Sequence, residues 1–373
     1  MPEALVNNTF FICNLTLENA TFLNVTSPSV NFHWSPMAVF NTSNLCIGLL
    51  GNSLLLILLV TDNRLRTPFN LYVIGLACAN LLSLTYIPFT ILSNLTGEVW
   101  IAGEAACSYF LYLNWVECST IYYHHLLVAV NRVWAIIHPV SYRTRHTKRL
   151  AQCLIVVVWA FTHAIMLPFW ALDTLFHRRT IAQNGFACLA NDREQYAYSV
   201  VAQVILYLLP IFVQILVFPV VYFARKARTM QRAMVAPVDA EPQRASLPCS
   251  QSIGTVQSTV AVTEASRSLN REQSTRPIAP GAVRARRKNR SGLVLLALMS
   301  LCALVSWAPI TYWSFVGTLS QDLVLPEHAW DIFMALAAIQ ASADPIIFLF
   351  SLGKLRDAVW RLAHRFIDRF RPQ

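Results

Sequence analysis

Long uninterrupted apolar runs alternate along this chain with short polar connections. Seven runs, approximately Ala38 to Thr61, Asn70 to Ser93, Glu104 to Ile137, Leu150 to Leu172, Tyr196 to Ala224, Ser291 to Thr318 and His328 to Ser351, reach the roughly 20 residues that a helix needs to cross the hydrocarbon core of a bilayer. They are continuous and rich in Leu, Val, Ile and Ala, without the period-two alternation of barrel strands. The pattern therefore predicts an all-α membrane protein, a seven-transmembrane helix bundle covering residues 38–351. Beyond it, Leu355, Val359, Leu362, Phe366 and Phe370 recur at helical spacing, with Lys354, Arg356, Arg361, Arg365 and Arg369 between them. Residues 352–373 thus predict an amphipathic eighth helix on the membrane surface, held by apolar burial and anionic lipid, with a short tail.

Charge sets the orientation. All but three of the 29 Lys and Arg residues (Arg178, Arg179 and Arg193) fall on one side of the seven spans, which predicts that this side is cytoplasmic and the N-terminus outside. Residues 1–37 lack the basic n-region and cleavage site of a signal peptide, so the expectation is a retained N-terminus, with the first span as signal anchor. Asn-x-Ser/Thr sites at Asn7, Asn14, Asn19, Asn24 and Asn41 cluster on that exterior side as candidate glycosylation sites. The connection 225–290 is long, rich in Ser, Thr, Pro and Ala and basic at both ends, and reads as a disordered inner loop open to phosphorylation.

Composition narrows the classes. Charged residues make up 13% of the 373, about half the usual share of a soluble domain, while 55% are apolar. A net charge of +10 does not point to nucleic acid, because the basic residues alternate with membrane-length runs. The nine cysteines form no CxxC or Cys/His cluster at zinc spacing. No phosphate loop, nucleotide fingerprint or catalytic triad is present, so an enzyme is not expected.

The spans carry residues in a particular order: Gly51-Asn52, then Leu76-Ala77 with Asn80, Cys107 opening the third span and Asn131-Arg132-Val133 closing it, Trp159 and Pro168, Pro210, Ser306-Trp307-Ala308-Pro309, and Asp344-Pro345-Ile346-Ile347-Phe348. Taken together they resemble the rhodopsin-like (class A) G protein-coupled receptors across residues 38–370. The resemblance implies a plasma-membrane receptor that binds an extracellular ligand and activates heterotrimeric G proteins, with arrestin and receptor kinases acting through the third inner loop. It also implies a disulfide between Cys107 and Cys188, a G protein contact at Arg132, and an activation switch around Trp307, Pro309, Pro210, Asp344, Pro345 and Phe348.

Several positions depart from the family pattern. An acidic residue normally precedes Arg132 and holds it at rest; Asn131 offers only an amide, which predicts a weakened lock and raised basal activity. The second and seventh spans exchange their usual acid and amide, leaving Asn80 opposite Asp344. A charge at the bilayer centre costs about 2.5 to 3.5 kcal/mol on the insertion scale, so Asp344 and Glu117 should each face the bundle with a partner. Two readings stand for this region: a sodium pocket built by Asp344, Asn80, Glu117, Gln340 and Asn52, or a protonated Asp344 hydrogen-bonded to Asn80 or Asn52. Phe218 and Phe348 replace two tyrosines, so a binder that does not signal is the alternative to a signalling receptor. His124, His125 and His163 read as structural, since adjacent histidines point about 100° apart on a helix.

Asn114 stands where amine receptors carry the acid that pairs with the ligand, which disfavours a biogenic amine. The second outer loop, Asp173 to Gln195, and the net negative outer side favour a peptide with basic residues, its pocket lined by Asn114, Trp115, Tyr112, Tyr312, Trp313 and Trp330. A transporter would show matched, broken half-repeats, and none is apparent.

Overall fold

The computed structural model describes residues 30–191, 193–234, 292–320 and 329–369. The expected glycosylation sites at Asn7, Asn14, Asn19 and Asn24, the side chain of Trp330 and most of the third inner loop lie outside the described residues. Two units are present, residues 1–222 with 292–373, and residues 223–291. The first contains the helix bundle.

Its elements are α1 (Pro36–Thr61), α2 (Pro68–Ser83), α3 (Ile87–Leu95), α4 (Glu104–Ile137), α5 (Pro139–Arg145), α6 (Lys148–Leu172), α7 (Tyr196–Gln203), α8 (Leu209–Met234), α9 (Gly292–Leu319), α10 (Ala329–Ala338), α11 (Gln340–Ser351) and α12 (Gly353–Arg369). Helix starts follow the local chemistry. Ser35, Thr67 and Thr147 accept backbone N–H bonds from the first turns of α1, α2 and α6, and proline opens α1 and α2, where its missing donor costs nothing.

Five helical segments are long and apolar enough to span a bilayer, and the α10–α11 pair, bent by 43°, makes a sixth. The remaining segment is α4, 34 residues long and more polar, with Asn114, Glu117, His124, His125 and Asn131 all buried. It packs against α2 and α6. Elsewhere the usual rule is inverted: Leu50, Val156, Val157, Phe212 and Leu301 stand exposed on the outer faces, as a lipid-facing surface requires. Close approach of α2 to α4 rests on Gly75, where an added Cβ would sit 2.9 Å from His124 Nε2.

Proline shapes four of the spans. The second was expected to be continuous over Asn70 to Ser93; it breaks between α2 and α3, just before Pro88. The seventh was expected to be continuous as well, and it breaks at Ile339. Pro345 cannot donate to the carbonyl of Ala341, and Asn52 Nδ2 takes that oxygen instead at 2.7 Å, while Asn44 Nδ2 takes Ala338 O at 2.8 Å. Pro210 and Pro309 share one solution: each follows a π-helical turn, Val204–Leu208 and Ala303–Trp307, which loosens the ladder where the proline would otherwise clash.

After Leu352 the chain turns into α12, whose Leu355 and Ala358 are buried and whose Trp360 is exposed. Arg361 Nη2 reaches Asp62 Oδ2 at 2.7 Å. The backbone N–H of Arg64 and the Arg361 guanidinium hold the Asp62 carboxyl below the usual carboxylate range.

Cys107 and Cys188 are joined by a disulfide that closes a separation of 81 residues. In the chain-entropy account such a link contributes about 4 kcal/mol. Cys188→Ser is expected to lower the thermal unfolding midpoint of the purified protein by roughly 10 °C, read by a thiol-independent thermal assay.

Candidate functional site

A carboxylate lies at the centre of the bundle. Asp344, 1% exposed on α11, accepts from Gln340 Nε2 at 2.6 Å, from Asn80 Nδ2 on α2 at 2.9 Å, and lies 3.0 Å from His125 Nε2 on α4. Asn80 Nδ2 also reaches Asn52 Oδ1 on α1 at 3.1 Å. Gln340 Oε1 in turn accepts from Cys302 Sγ on α9 at 2.9 Å. Five helices therefore meet at one buried acid. The His125 ring packs edge-on against Trp307 with centroids 4.8 Å apart, and Trp307 also lies against Tyr122 at 4.1 Å.

Asn80, Asp344, Gln340 and Asn52, grouped by the family resemblance, lie together in one hydrogen-bonded cluster. Glu117 does not join them. It sits eight residues nearer Cys107 on α4, roughly 12 Å along the helix axis, fully buried, and neither carboxylate oxygen has a hydrogen-bond partner among the described residues. Its place is taken by His125, which sequence reasoning set aside as structural. The 100° argument holds, since His124 turns to Thr120 O and Trp159, but it overlooked that each histidine meets a different helix. The signal available was the acid itself: a buried Asp344 requires a donor from a facing span.

A cavity of about 180 Å³ runs from the exposed Glu98 and from Cys188 and Leu189 down to Trp307 and Gln340. Its walls carry neutral polar groups, among them Asn114, Gln203, Thr311 and Ser314, with apolar side chains between. Of the expected ligand-pocket residues only Asn114 has a described side chain that lines it. On α4 the cavity face is Asn114, Cys118, Ile121 and Tyr122, and Trp115 and Tyr112 point elsewhere, onto Phe169 and onto His163 and Trp170. On α9 the face is Trp307, Ile310, Thr311 and Ser314; Tyr312 is exposed and Trp313 stacks on Phe333. The sequon at Asn41 is also corrected. Asn41 is 5% exposed within α1, and its amide nitrogen, the atom a glycan needs, donates to Asn94 Oδ1 at 3.0 Å.

At the other end of α4, the Arg132 guanidinium lies 3.2 Å from the Phe69 ring centroid and makes no ion pair among the described residues. Asn131 is bound into the α5 region. Its Oδ1 accepts from Tyr142 OH at 3.1 Å and its Nδ2 donates to His146 Nε2 at 2.9 Å, with Tyr72 OH 3.1 Å from the same nitrogen. Phe348 is buried, and Phe218 stacks on Tyr222 with centroids 6.4 Å apart.

The sequence profile described as "7 transmembrane receptor (rhodopsin family)" matches residues 51–348. The chain belongs to that family: it is an all-α, multi-pass plasma-membrane receptor of the G protein-coupled class. It is 28% identical to an alpha-2 adrenergic receptor of Carassius auratus over 49% of this chain and 40% of that protein. Against the alpha-2B adrenergic receptor of Elephas maximus identity is 30%, over 52% of this chain and 50% of the relative. Against the cholecystokinin receptor type A of Canis lupus familiaris it is 26%, over 92% of this chain and 84% of the relative. The chain spans about two fifths to one half of the length of the adrenergic relatives it matches.

The His146 contacts carry a pH dependence. Burial first, and then the charge of Arg132, pull its imidazole below the ordinary value of 6.5. Its Nε2 accepts from Asn131, which a protonated ring cannot do. A depressed folded-state value means the contribution to stability is present above about pH 6.5 and lost as pH falls below it. Between about pH 7.5 and about pH 5.5, wild type is expected to lose more thermal stability than His146→Gln, which keeps an acceptor without titrating. Equal losses would show that His146 does not carry the effect.

Proposed function

We propose that this receptor is oriented with its N-terminus outside, takes an extracellular ligand into the cavity beside Cys188, and transmits binding to a heterotrimeric G protein at Arg132. The observation that carries this reading is continuity: Trp307 and Gln340 line the cavity and are also direct neighbours of His125 and Asp344. A ligand touching the cavity floor therefore acts on the contacts that join five helices. The π turn ending at Trp307, next to Pro309, gives the lower part of α9 a place to pivot.

Asn114 lines the cavity and supplies no carboxylate to an amine, which argues against a ligand of the adrenergic kind. Among the described residues Glu98 is the charged side chain in the lining, and with the net negative outer side it supports a peptide carrying a basic residue. On the inner side, the third loop serves receptor kinases and arrestin, and α12 lies on the lipid surface with Trp360 buried in it.

Arg132 rests on an aromatic ring and has no acidic partner among the described residues, which supports raised basal activity. The second reading is a binder that does not signal, favoured by Phe218 and Phe348 in place of hydroxyl-bearing side chains. Recruitment of G protein mimics in living cells without ligand separates the two. Wild type is expected to recruit one class, Arg132→Ala to abolish that signal and Asn131→Asp to reduce it. Silence from all three contradicts the basal-activity reading.

A further inference from the structure

The family resemblance implies a sodium ion beside Asp344, and the groups around this carboxylate do not fit one. A hard cation is held by oxygen lone pairs. Among the described residues the groups hydrogen-bonded to Asp344 present nitrogen: Gln340 Nε2 at 2.6 Å, Asn80 Nδ2 at 2.9 Å and His125 Nε2 at 3.0 Å. The side-chain oxygens of the neighbouring amides are largely committed elsewhere. Gln340 Oε1 accepts from Cys302 Sγ and Asn52 Oδ1 accepts from Asn80, leaving Asn80 Oδ1 as the amide oxygen of the cluster without a partner. The second carboxylate expected in the pocket, Glu117, makes no hydrogen bond with any of these groups. Among the described residues no group of three His, Cys, Asp or Glu stands ready to hold a metal.

We infer that the His125 imidazole is an internal replacement for the cation: it occupies the coordination position at Asp344 Oδ2, and the receptor takes up no sodium there. Two features of the structure support the assignment. His125 is 1% exposed and reaches the carboxylate from α4, with Nε2 3.0 Å from Asp344 Oδ2. Its ring also packs edge-on against Trp307, so a group that satisfies Asp344 touches the cavity floor directly. The link between cavity and acid is then a fixed side chain, whose position does not depend on the salt outside the cell. The inference concerns the unliganded protein and stands independently of which ligand the cavity takes.

The test is thermal unfolding of the purified full-length receptor in sodium chloride against choline chloride, each at about 0.15 M so that screening is matched. Wild type is expected to give the same midpoint in both salts. His125→Ser removes the ring, leaves space beside the carboxylate and adds a hydroxyl oxygen; sodium is expected to raise its midpoint by about 3 °C or more. His125→Ser combined with Asp344→Asn is expected to lose that rise. A sodium-specific rise in wild type that Asp344→Asn abolishes overturns the inference. A folded His125→Ser protein indifferent to sodium overturns it too, since the imidazole would then not be what keeps the ion out. If His125→Ser does not fold, His125→Asn, which keeps a nitrogen donor and adds a carbonyl oxygen, takes its place with the same expected rise, and the wild-type comparison decides the occupancy by itself.

Discussion

A carboxylate in the middle of a membrane protein must be satisfied by the protein, because the bilayer offers nothing in its place. Asp344 is that group here, and the bundle is arranged around its needs. Asn80 and His125 approach from α2 and α4, Gln340 from its own helix, and Asn52 joins α1 through Asn80. Asn52 has a second task, since its amide covers the Ala341 carbonyl that Pro345 leaves open. One polar cluster thus satisfies both the acid and the break in the seventh span, which explains why polar side chains sit in the most buried positions of α1 and α2. Removing the Gln340 or the Asn52 amide takes from Asp344 Oδ1 or Ala341 O the donor it has among the described residues, a change that costs more than the hydrogen bond itself contributes.

Prolines supply the complementary property. Pro210 and Pro309 each follow a π turn, and the turn before Pro309 ends at Trp307, which forms part of the cavity floor. A ligand that reached the cavity floor, as proposed, would meet Trp307 at the end of this π turn, where His125 ties it to the acid.

Much of this was legible in the sequence because membrane length, proline and charge leave one-dimensional traces. The helices of the bundle follow from run length and the need of Asp344 for a partner from the cost of a buried charge, whereas the pairing with Asn80 and the placement of Gln340 follow from the family resemblance. The faces of α4 and α9 were not legible. Tyr112, Trp115, Tyr312 and Trp313 are large and aromatic, but the cavity face is set by helix rotation, which composition does not record; beside the expected Asn114 it presents Tyr122 and Thr311 instead. Glu117 was grouped with Asp344 on charge alone, although two turns of α4 separate it from His125. The glycan expected at Asn41 failed for a similar reason: a sequon states the chemistry of an acceptor and says nothing of its burial.

The central claim is that His125 and Asp344 act as one unit. A double-mutant cycle on thermal or denaturant stability tests it most directly, with His125→Leu and Asp344→Asn made singly and together. The account predicts that the double variant loses less than the sum of the single losses by about 1 to 3 kcal/mol, because either change already breaks the shared contact. Losses that add to within about 0.5 kcal/mol would mean the two side chains are neighbours without being partners, and would contradict it.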